Sequence, residues 1–213
     1  MNKVALITGA TRGIGRALAI GLSKKGYNIV IAGKTTDHNP KIPGTIYSVA
    51  KEIELIGTKA LPIKTDMRNY DDIKNLIHKT EEKFGRLDLV INNAGALSWK
   101  STIDTGVKEY DLINSVNSRG SFFLSKLSIP LLKKSGGHII YQSPPLPDNI
   151  ADLKNTVKNK SAYMISKWGM TIGAIGLSGE LKGYNIGVNT LWPMTPIESF
   201  AVKNNNLGDK KMW

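Results

Sequence analysis

The stretch Val4-Ala5-Leu6-Ile7-Thr8-Gly9-Ala10-Thr11-Arg12-Gly13-Ile14-Gly15 decides the fold of this chain. Its apolar start predicts a buried strand, and the three glycines, spaced GxxxGxG, predict a tight turn into a helix. Such a turn lets the backbone approach a pyrophosphate, and a helix N-terminus adds free N–H groups. We therefore predict a dinucleotide site, although a lone motif also fits an ordinary glycine-rich turn. The residues expected there are Gly9, Thr11, Arg12, Gly13, Ile14 and Gly15.

Short apolar runs alternate with amphipathic stretches along the whole chain, which predicts βα units around a parallel sheet. The predicted strands are residues 4–8, 28–32, 60–64, 87–92, 138–142 and 186–191. The predicted helices are residues 13–25, 46–56, 71–84, 108–133 and 162–181, with irregular segments at 34–45, 144–160 and after Pro193. We expect a single α/β domain over residues 1–213, a doubly wound parallel sheet with helices on both faces.

Composition excludes several classes of site. The chain has 213 residues, no cysteine, and 29 Lys and Arg against 17 Asp and Glu, for a net charge of +12. Without cysteine there is no disulfide, thiolate nucleophile or iron–sulfur cluster, and a reducing compartment suits the chain. No apolar run of 18 residues and no N-terminal signal pattern occurs, so we expect neither a membrane span nor an N-terminal address. A nucleic-acid partner is the alternative that the charge raises, but the lysines are scattered, which favours solvated helix faces.

The end of the second predicted strand bears on cofactor choice. An acidic residue there binds a ribose 2′-hydroxyl and repels a 2′-phosphate. This chain instead has Gly33-Lys34 and no carboxylate until Asp37, with Arg12 adding a second cation. We therefore predict NADP rather than NAD, because cations pair with the extra phosphate. The alternative is that Lys34 is a solvated loop lysine.

Polar residues also follow the third and fourth predicted strands, at the edge where ligands bind in such sheets. Asp66 is placed to accept a hydrogen bond from an adenine amino group. The turn Asn92-Asn93-Ala94-Gly95 is placed to brace the cofactor-side loops, and we assign Asn93, Ala94 and Gly95 to cofactor binding. Each segment alone would be an ordinary turn signal.

Tyr163 and Lys167 are four residues apart in a predicted helix, so they share one face. A nearby ammonium stabilises a phenolate and lowers its pKa, which makes a tyrosine usable as an acid–base group. A random pair at this spacing would more often be surface neighbours. Ser143, at the end of the fifth predicted strand, is placed to hydrogen-bond a substrate carbonyl. Asn117, inside a predicted helix, is either an internally satisfied amide or the holder of a proton-relay water.

Taken in order, these motifs resemble the short-chain dehydrogenase/reductase family over nearly the whole chain. The resemblance implies the strand order 3-2-1-4-5-6 and hydride transfer between a nicotinamide and a substrate carbon, without a metal. It implies that Tyr163 is the acid–base and that Lys167 lowers its pKa and binds the nicotinamide ribose. It further implies that Ser143 orients the carbonyl and that Asn117 supports a proton relay.

A narrower resemblance, to the hydroxysteroid dehydrogenase-like subgroup, lies in Ala32-Gly33-Lys34-Thr35-Thr36, Ser143-Pro144-Pro145-Leu146 and Leu191-Trp192-Pro193. It implies a lipid-like substrate and a peroxisomal or mitochondrial location, whereas the sequence itself is equally compatible with the cytoplasm. The last three residues, Lys211-Met212-Trp213, are not a peroxisomal tripeptide, and the sequence leads us to expect no sterol-carrier domain.

Three features depart from the family pattern. Ser143 precedes Tyr163 by 20 positions, so the intervening loop must fold back. Pro193 is followed by Met194 where the family has glycine, with Thr195 at the position that contacts the carboxamide. The chain stops before an expected seventh strand, so we expect a truncated domain, a homodimer through the long helices, and no stable tetramer. A dinucleotide-binding module without turnover is therefore the alternative to an enzyme.

Overall fold

Six parallel strands form the centre of the molecule. The computed structural model describes residues 2–40, 42–194 and 197, without the side chains of residues 150–152. The sheet order is β3-β2-β1-β4-β5-β6, which confirms the predicted doubly wound sheet. The strands are β1 Val4–Thr8, β2 Asn28–Gly33, β3 Ala60–Lys64, β4 Leu89–Asn92, β5 Gly137–Tyr141 and β6 Ile186–Thr190.

Helices cover both faces of this sheet. They are α1 Gly13–Lys24, α2 Ile46–Ile56, α3 Tyr70–Phe84, α4 Val107–Asn114, α5 Gly120–Ser135, α6 Ile150–Val157 and α7 Ser161–Glu180. On one face, side chains of α1 and α2 such as Ala19 and Ile53 pack on Ile29 and Ile31 of β2. On the other face, α3, α5 and α7 pack through residues such as Leu76, Leu124 and Met170. Because both faces are covered, the central strands β1 and β2 are continuous apolar runs rather than alternating ones.

Local signals account for where α2 and α3 begin and end. Thr45 caps α2 by accepting a hydrogen bond from Ser48 N, and the Ser48 hydroxyl accepts one from Thr45 N. Asn69 caps α3 by accepting from Asp71 N. Both helices end at a glycine in the left-handed region, Gly57 and Gly85, where a side chain would be strained.

The structure corrects two expectations about the helices. The segment 144–160, predicted as irregular, contains the two-turn helix α6. The helix predicted over 108–133 is interrupted by a π-helical turn, Ser115–Arg119, between α4 and α5. Such turns insert one extra residue into a helix and often occur at functional sites. No helix in the described part of the chain is long and apolar enough to cross a membrane.

Parallel pairing brings the carboxyl ends of the strands to one edge. Gly33 lies opposite Lys64 in the β2–β3 ladder, and Asn92 lies opposite Tyr141 in the β4–β5 ladder. The loops that leave these ends are therefore neighbours in space, although they are far apart in sequence. The order of the sheet reverses between β1 and β4, and ligands of doubly wound sheets bind at such a switch point.

Candidate active site

The loop between β1 and α1 presents backbone N–H groups at this edge. Gly9 and Gly13 have positive φ angles of 65° and 53°, a region that other residues rarely adopt. The N-cap residue of α1 is Arg12, whose side chain makes no capping hydrogen bond, and the first turn carries no acidic residue. In contrast to α2 and α3, the N-terminus of α1 thus remains available to an anion.

Two glycines allow the close packing that holds this loop in place. A Cβ on Gly15 would lie 2.5 Å from Asn93 Nδ2 and also overlap the carbonyl oxygen of Gly9. A Cβ on Gly44, whose φ is 87°, would overlap the carbonyl oxygen of Thr11. The loop therefore lies directly against the segments that follow β4 and precede α2, and neither position has space for a side chain.

Thr8 and Asn93 join the loops that follow β1 and β4. The Thr8 hydroxyl accepts hydrogen bonds from Asn93 N at 3.1 Å and Ala94 N at 3.0 Å. The Asn93 amide donates to the carbonyl oxygens of Thr8 at 2.8 Å and Gly9 at 3.3 Å. The predicted turn at 92–95 thus braces the glycine-rich loop through four hydrogen bonds.

A cleft of about 450 Å³ opens between these loops. This volume lies in the range of small-molecule sites. All the residues that sequence reasoning assigned to the adenosine and phosphate end line it: Gly9, Thr11, Arg12, Gly13, Ile14, Gly15, Lys34, Asp66, Asn93, Ala94 and Gly95. Sequence reasoning gave no role to seven further lining residues: Ala32, Gly33, Thr35, Thr65, Met67, Ala96 and Val116. All but Val116 lie at the carboxyl end of β2 or within four residues after β2, β3 or β4, and that position is the signal that would have identified them.

Positive charge surrounds the cleft. Arg12 is half-buried, and burial lowers the pKa of its guanidinium. Lys34 Nζ lies 3.2 Å from Asp66 Oδ2, and Arg68 Nη2 lies 2.6 Å from the same oxygen. Hydrogen bonding to Arg68 and then to Lys34 holds the pKa of Asp66 well below its usual range, so this carboxylate is ionised at neutral pH. Sequence reasoning missed this pairing.

The lining fits a dinucleotide. The uncapped first turn of α1 and the glycines suit a pyrophosphate, since backbone N–H groups must approach its oxygens closely. Lys34 and Arg12 supply charge for a further phosphate, and the Asp66 carboxylate supplies an acceptor for an adenine amino group. Two of the lining glycines, Gly9 and Gly13, have positive φ angles, which turn the loop backbone toward the N-terminus of α1 without a side chain in the way.

Tyr163 and Lys167 lie one turn apart near the start of α7, as predicted. The Lys167 ammonium is buried and donates to the carbonyl oxygen of Gln142, with Met170 Sδ at 3.6 Å and the Trp192 ring centroid at 5.8 Å. Burial lowers the pKa of Lys167 to about 8. Burial also raises the pKa of Tyr163 to about 12, opposite in direction to the expected effect of Lys167. The physical reason is that the ammonium is directed to Gln142 and does not offset the desolvation of the phenol.

Ser143 is fully buried, two residues after the end of β5. Its hydroxyl lies 3.0 Å from the Thr171 hydroxyl, which is also 2.6 Å from the carbonyl oxygen of Pro144. Thr171 is on α7, one turn beyond Lys167. The segment after β5 therefore folds back onto α7, as the long separation of Ser143 and Tyr163 requires, and the partner of the serine is a residue that sequence reasoning did not assign.

Asn117 lies in the π-helical turn and is fully buried. Its Oδ1 accepts from Ala96 N at 2.8 Å, and its Nδ2 donates to Ala96 O at 3.0 Å and Ser166 Oγ at 2.9 Å. Both amide hydrogens are thus used within the protein. The side chain connects the loop that follows β4 to α7. Of the two roles considered from the sequence, an internally satisfied amide and the holder of a proton-relay water, these contacts agree with the first.

The remaining predicted residues do not contribute to the cleft. Within the described residues its lining includes none of Asn117, Ser143, Tyr163, Lys167 and Pro193. Pro193 is described and half-buried, in the segment that follows β6. Thr195 lies outside the described residues, as do residues 198–213, on which the expectations about the tail depend.

Comparisons with known proteins extend this picture. The family model for short chain dehydrogenases matches residues 3–208. Hydroxysteroid dehydrogenase-like protein 2 of Xenopus laevis is 46% identical over 197 residues, covering 92% of this chain and 46% of that protein. The Mus musculus protein of the same name is 48% identical, over 92% of this chain and 39% of that protein. The chain thus spans about half the length, or less, of these relatives.

Solved structures agree with the fold. A short chain dehydrogenase from Mycobacterium thermoresistibile superimposes with a TM-score of 0.88 at 39% identity, covering 98% of this chain and 73% of that one. A metagenomic short-chain oxidoreductase in complex with NADP superimposes with a TM-score of 0.79 at 27% identity, covering 91% and 82%. Given the extent of the family match and the identity to these relatives and structures, the chain belongs to the short-chain dehydrogenase family.

Proposed function

We propose that the protein is an NADP-dependent oxidoreductase that transfers a hydride between this cofactor and a carbonyl or hydroxyl group of an apolar substrate. The observation that carries the proposal is the joint arrangement of two features at one sheet edge. One is the cationic, glycine-lined cleft, and the other is the Tyr163–Lys167 pair on α7. A nicotinamide dinucleotide, when bound, supplies or accepts the hydride.

The chain's own residues then bind the cofactor, orient the substrate and transfer a proton. Tyr163 Oη donates the proton to the substrate oxygen during reduction, or accepts it during oxidation. With the cofactor bound, a Lys167 ammonium released from Gln142 would hold the nicotinamide ribose and would lower the pKa of Tyr163 from about 12. Ser143 orients the substrate carbonyl, and Asn117 positions the loop at Ala96 and the start of α7 through its three hydrogen bonds.

NADP is the proposed cofactor because Arg12 and Lys34 both line the cleft. The NADP complex of the metagenomic relative is compatible with this choice. NADPH should bind at least about tenfold more tightly than NADH, since a charge-assisted contact to phosphate contributes about 1.5–3 kcal/mol. Lys34→Asp should narrow or reverse the preference in a calorimetric titration with both cofactors. Equal dissociation constants in the unmutated protein would refute the assignment.

An apolar substrate is supported by three exposed side chains. Trp99, Leu146 and Trp192 lie on the segments that follow β4, β5 and β6, and all are more than 40% exposed. Lys160 Nζ lies 4.8 Å from the Trp99 ring centroid, which connects the start of α7 to the segment after β4. A panel of aldehydes, ketones and acyl derivatives of increasing chain length, assayed with NADPH, should show kcat/KM rising with apolar chain length.

Tyr163→Phe tests the chemistry. The ring is retained and the transferable proton is lost, so turnover should fall to a few per cent or less while NADPH binding changes little. Tyr184→Phe, at the opposite edge of the sheet before β6, removes the same hydroxyl and should leave turnover unchanged. If Tyr163→Phe retained most of the activity, another acid would have to perform the proton transfer.

A dinucleotide-binding module without turnover is the second candidate. It is favoured by the engagement of Lys167 with Gln142 and by the fully buried Ser143, which contacts Thr171. In that case NADPH and NADP⁺ would bind, but no member of the carbonyl panel would oxidise NADPH and none of the corresponding alcohols would reduce NADP⁺. Turnover of any one of these compounds that Tyr163→Phe abolishes would exclude the module.

For a partner, we propose a second copy of this chain through the long helices. Phe122 on α5 and Ile165 and Ile172 on α7 are each more than half exposed. Burying such side chains on a two-fold axis is the usual route to a symmetric dimer. Light scattering should give twice the mass of the chain, and Ile172→Lys should shift it toward the monomer.

A further inference from the structure

Asp66 lies between two cations at the rim of the cleft. Its Oδ2 is 3.2 Å from Lys34 Nζ and 2.6 Å from Arg68 Nη2, and Arg68 Nε lies 3.0 Å from both carboxylate oxygens. A second contact fixes the backbone of Arg68, because its carbonyl oxygen accepts a hydrogen bond from Arg119 Nη1 at 2.9 Å. The carboxylate is mostly covered, at 21% exposed, whereas the Lys34 side chain is 58% exposed.

This arrangement has a consequence for phosphate binding. Lys34 is the cation at the end of β2, where a 2′-phosphate is expected, but Asp66 already compensates part of its charge. An incoming phosphate must share the ammonium with the carboxylate, and the two anions repel each other at short range. Arg68 does not relieve this competition, since its guanidinium is bidentate on the same carboxylate.

We propose that Asp66 is a specificity-determining residue that weakens discrimination between NADP and NAD by holding Lys34. The proposal rests on the proposed function, since it concerns the same cofactor site. It differs from the adenine contact expected from the sequence, because a contact to adenine acts equally on both cofactors. Replacing Asp66 should change the ratio of the two affinities, whereas loss of an adenine contact would change both affinities by the same factor.

Fragments of the cofactor isolate this effect from turnover. Adenosine 2′,5′-bisphosphate differs from adenosine 5′-monophosphate only by the 2′-phosphate, so the ratio of their dissociation constants measures the contribution of that phosphate. Calorimetric titration of the full chain with both fragments gives the ratio for each variant. Thermal unfolding of each variant establishes that it is folded at the titration temperature.

Asp66→Asn removes the charge and keeps the shape of the side chain. The preference for the bisphosphate should rise about three- to fivefold, which is the range expected when a partly exposed ion pair no longer competes. Asp72→Asn is the matched control, because Asp72 lies beside Asp66, accepting from its backbone N at 2.8 Å, and has no ion pair with Lys34. The control should change the preference by less than about twofold.

A double-mutant cycle with Lys34→Ala tests whether Lys34 carries the effect. Lys34→Ala alone should reduce the preference, and adding Asp66→Asn to it should then have less than about a twofold effect. An unchanged or lower preference in Asp66→Asn, or an equal rise with and without Lys34, would overturn the proposal. If the unmutated protein showed no preference for the bisphosphate, the NADP assignment would fail, yet a preference that appears in Asp66→Asn would still support the role of Asp66.

Discussion

Replacing Lys167 by methionine should stabilise the folded chain while removing a residue of the proposed active site. Lys167 is 5% exposed, and burial lowers its pKa from 10.5 to about 8. A shift of this size corresponds to about 3 kcal/mol of unfavourable free energy at neutral pH. The methionine loses the hydrogen bond to Gln142, which offsets about 1–2 kcal/mol of the gain. We therefore expect a net gain of about 1–2 kcal/mol in the free energy of unfolding at pH 7.

The pH dependence of this gain tests whether it comes from removing a buried charge. Below pH 8 Lys167 is charged in both the folded and the unfolded chain, so the cost of burying the charge is fully present. Between about pH 8 and 10.5 the folded chain releases the proton before the unfolded chain does, and the stability contributed by this site rises with pH. The advantage of Lys167→Met should therefore be largest at pH 7 and should shrink as the pH approaches 10.

Urea denaturation of both proteins at pH 7 and pH 9.5 measures this difference, and the melting temperature at pH 7 should rise by about 2–8 °C. Lys74→Met, at an exposed position on α3, is the control and should leave the stability within about 0.5 kcal/mol at both pH values. A Lys167→Met protein that is less stable than the unmutated one at pH 7, or whose difference does not shrink with pH, would refute the reasoning.

Three further substitutions and one control test the packing of the glycine-rich loop and of β5 against α5. Denaturant unfolding should show that Gly15→Ala destabilises the protein by at least about 2 kcal/mol, because the new Cβ would overlap Gly9, and dinucleotide binding should be impaired as well. In the same assay the control Gly21→Ala, on the same helix but facing open space, should stabilise the protein by about 0.5–1 kcal/mol. Thr8→Val should cost about 1–3 kcal/mol and weaken binding in a cofactor titration, since its hydroxyl accepts two backbone N–H groups. Ser125→Ala should cost a similar amount in the same unfolding assay, because the buried hydroxyl of Tyr141 loses its partner, 2.7 Å away.

Much of the fold could be predicted because the strands are buried on both faces. The runs at 4–8 and 60–64 have the predicted bounds, and each of the other strands differs by no more than two residues at either end. The helix α6 was missed because the prolines at 144, 145 and 147 favour an irregular segment. The π-helical turn was missed because it depends on the tertiary hydrogen bonds of Asn117 to Ala96 and Ser166. Such contacts leave no periodic signal.

The sequence predicted which residues of the candidate site follow each strand. It did not predict which of these side chains form ion pairs and hydrogen bonds with one another. Lys34 and Asp66 meet because β2 and β3 are neighbours in the sheet and the lysine side chain is long and flexible. The spacing of the two residues along the chain predicts neither the strand pairing nor the direction of the lysine. In this structure burial raises the pKa of Tyr163, so the lowering by Lys167 stays a prediction for the cofactor complex. Four-residue spacing puts both on one helix face, but the carbonyl oxygen of Gln142 competes for the ammonium.

The π-helical turn at Ser115–Arg119 sets a limit on how this protein can be stabilised by engineering. Deleting one residue from the turn would restore an uninterrupted α-helical ladder from α4 to α5. The widened turn accommodates its extra residue locally, so the helices on either side keep their faces while the side chains within the turn project differently. The deletion would therefore change the orientation of Asn117, which lies within the turn, and leave the faces of α4 and α5 in place. A shorter and more regular helix would thus separate the loop at Ala96 from α7.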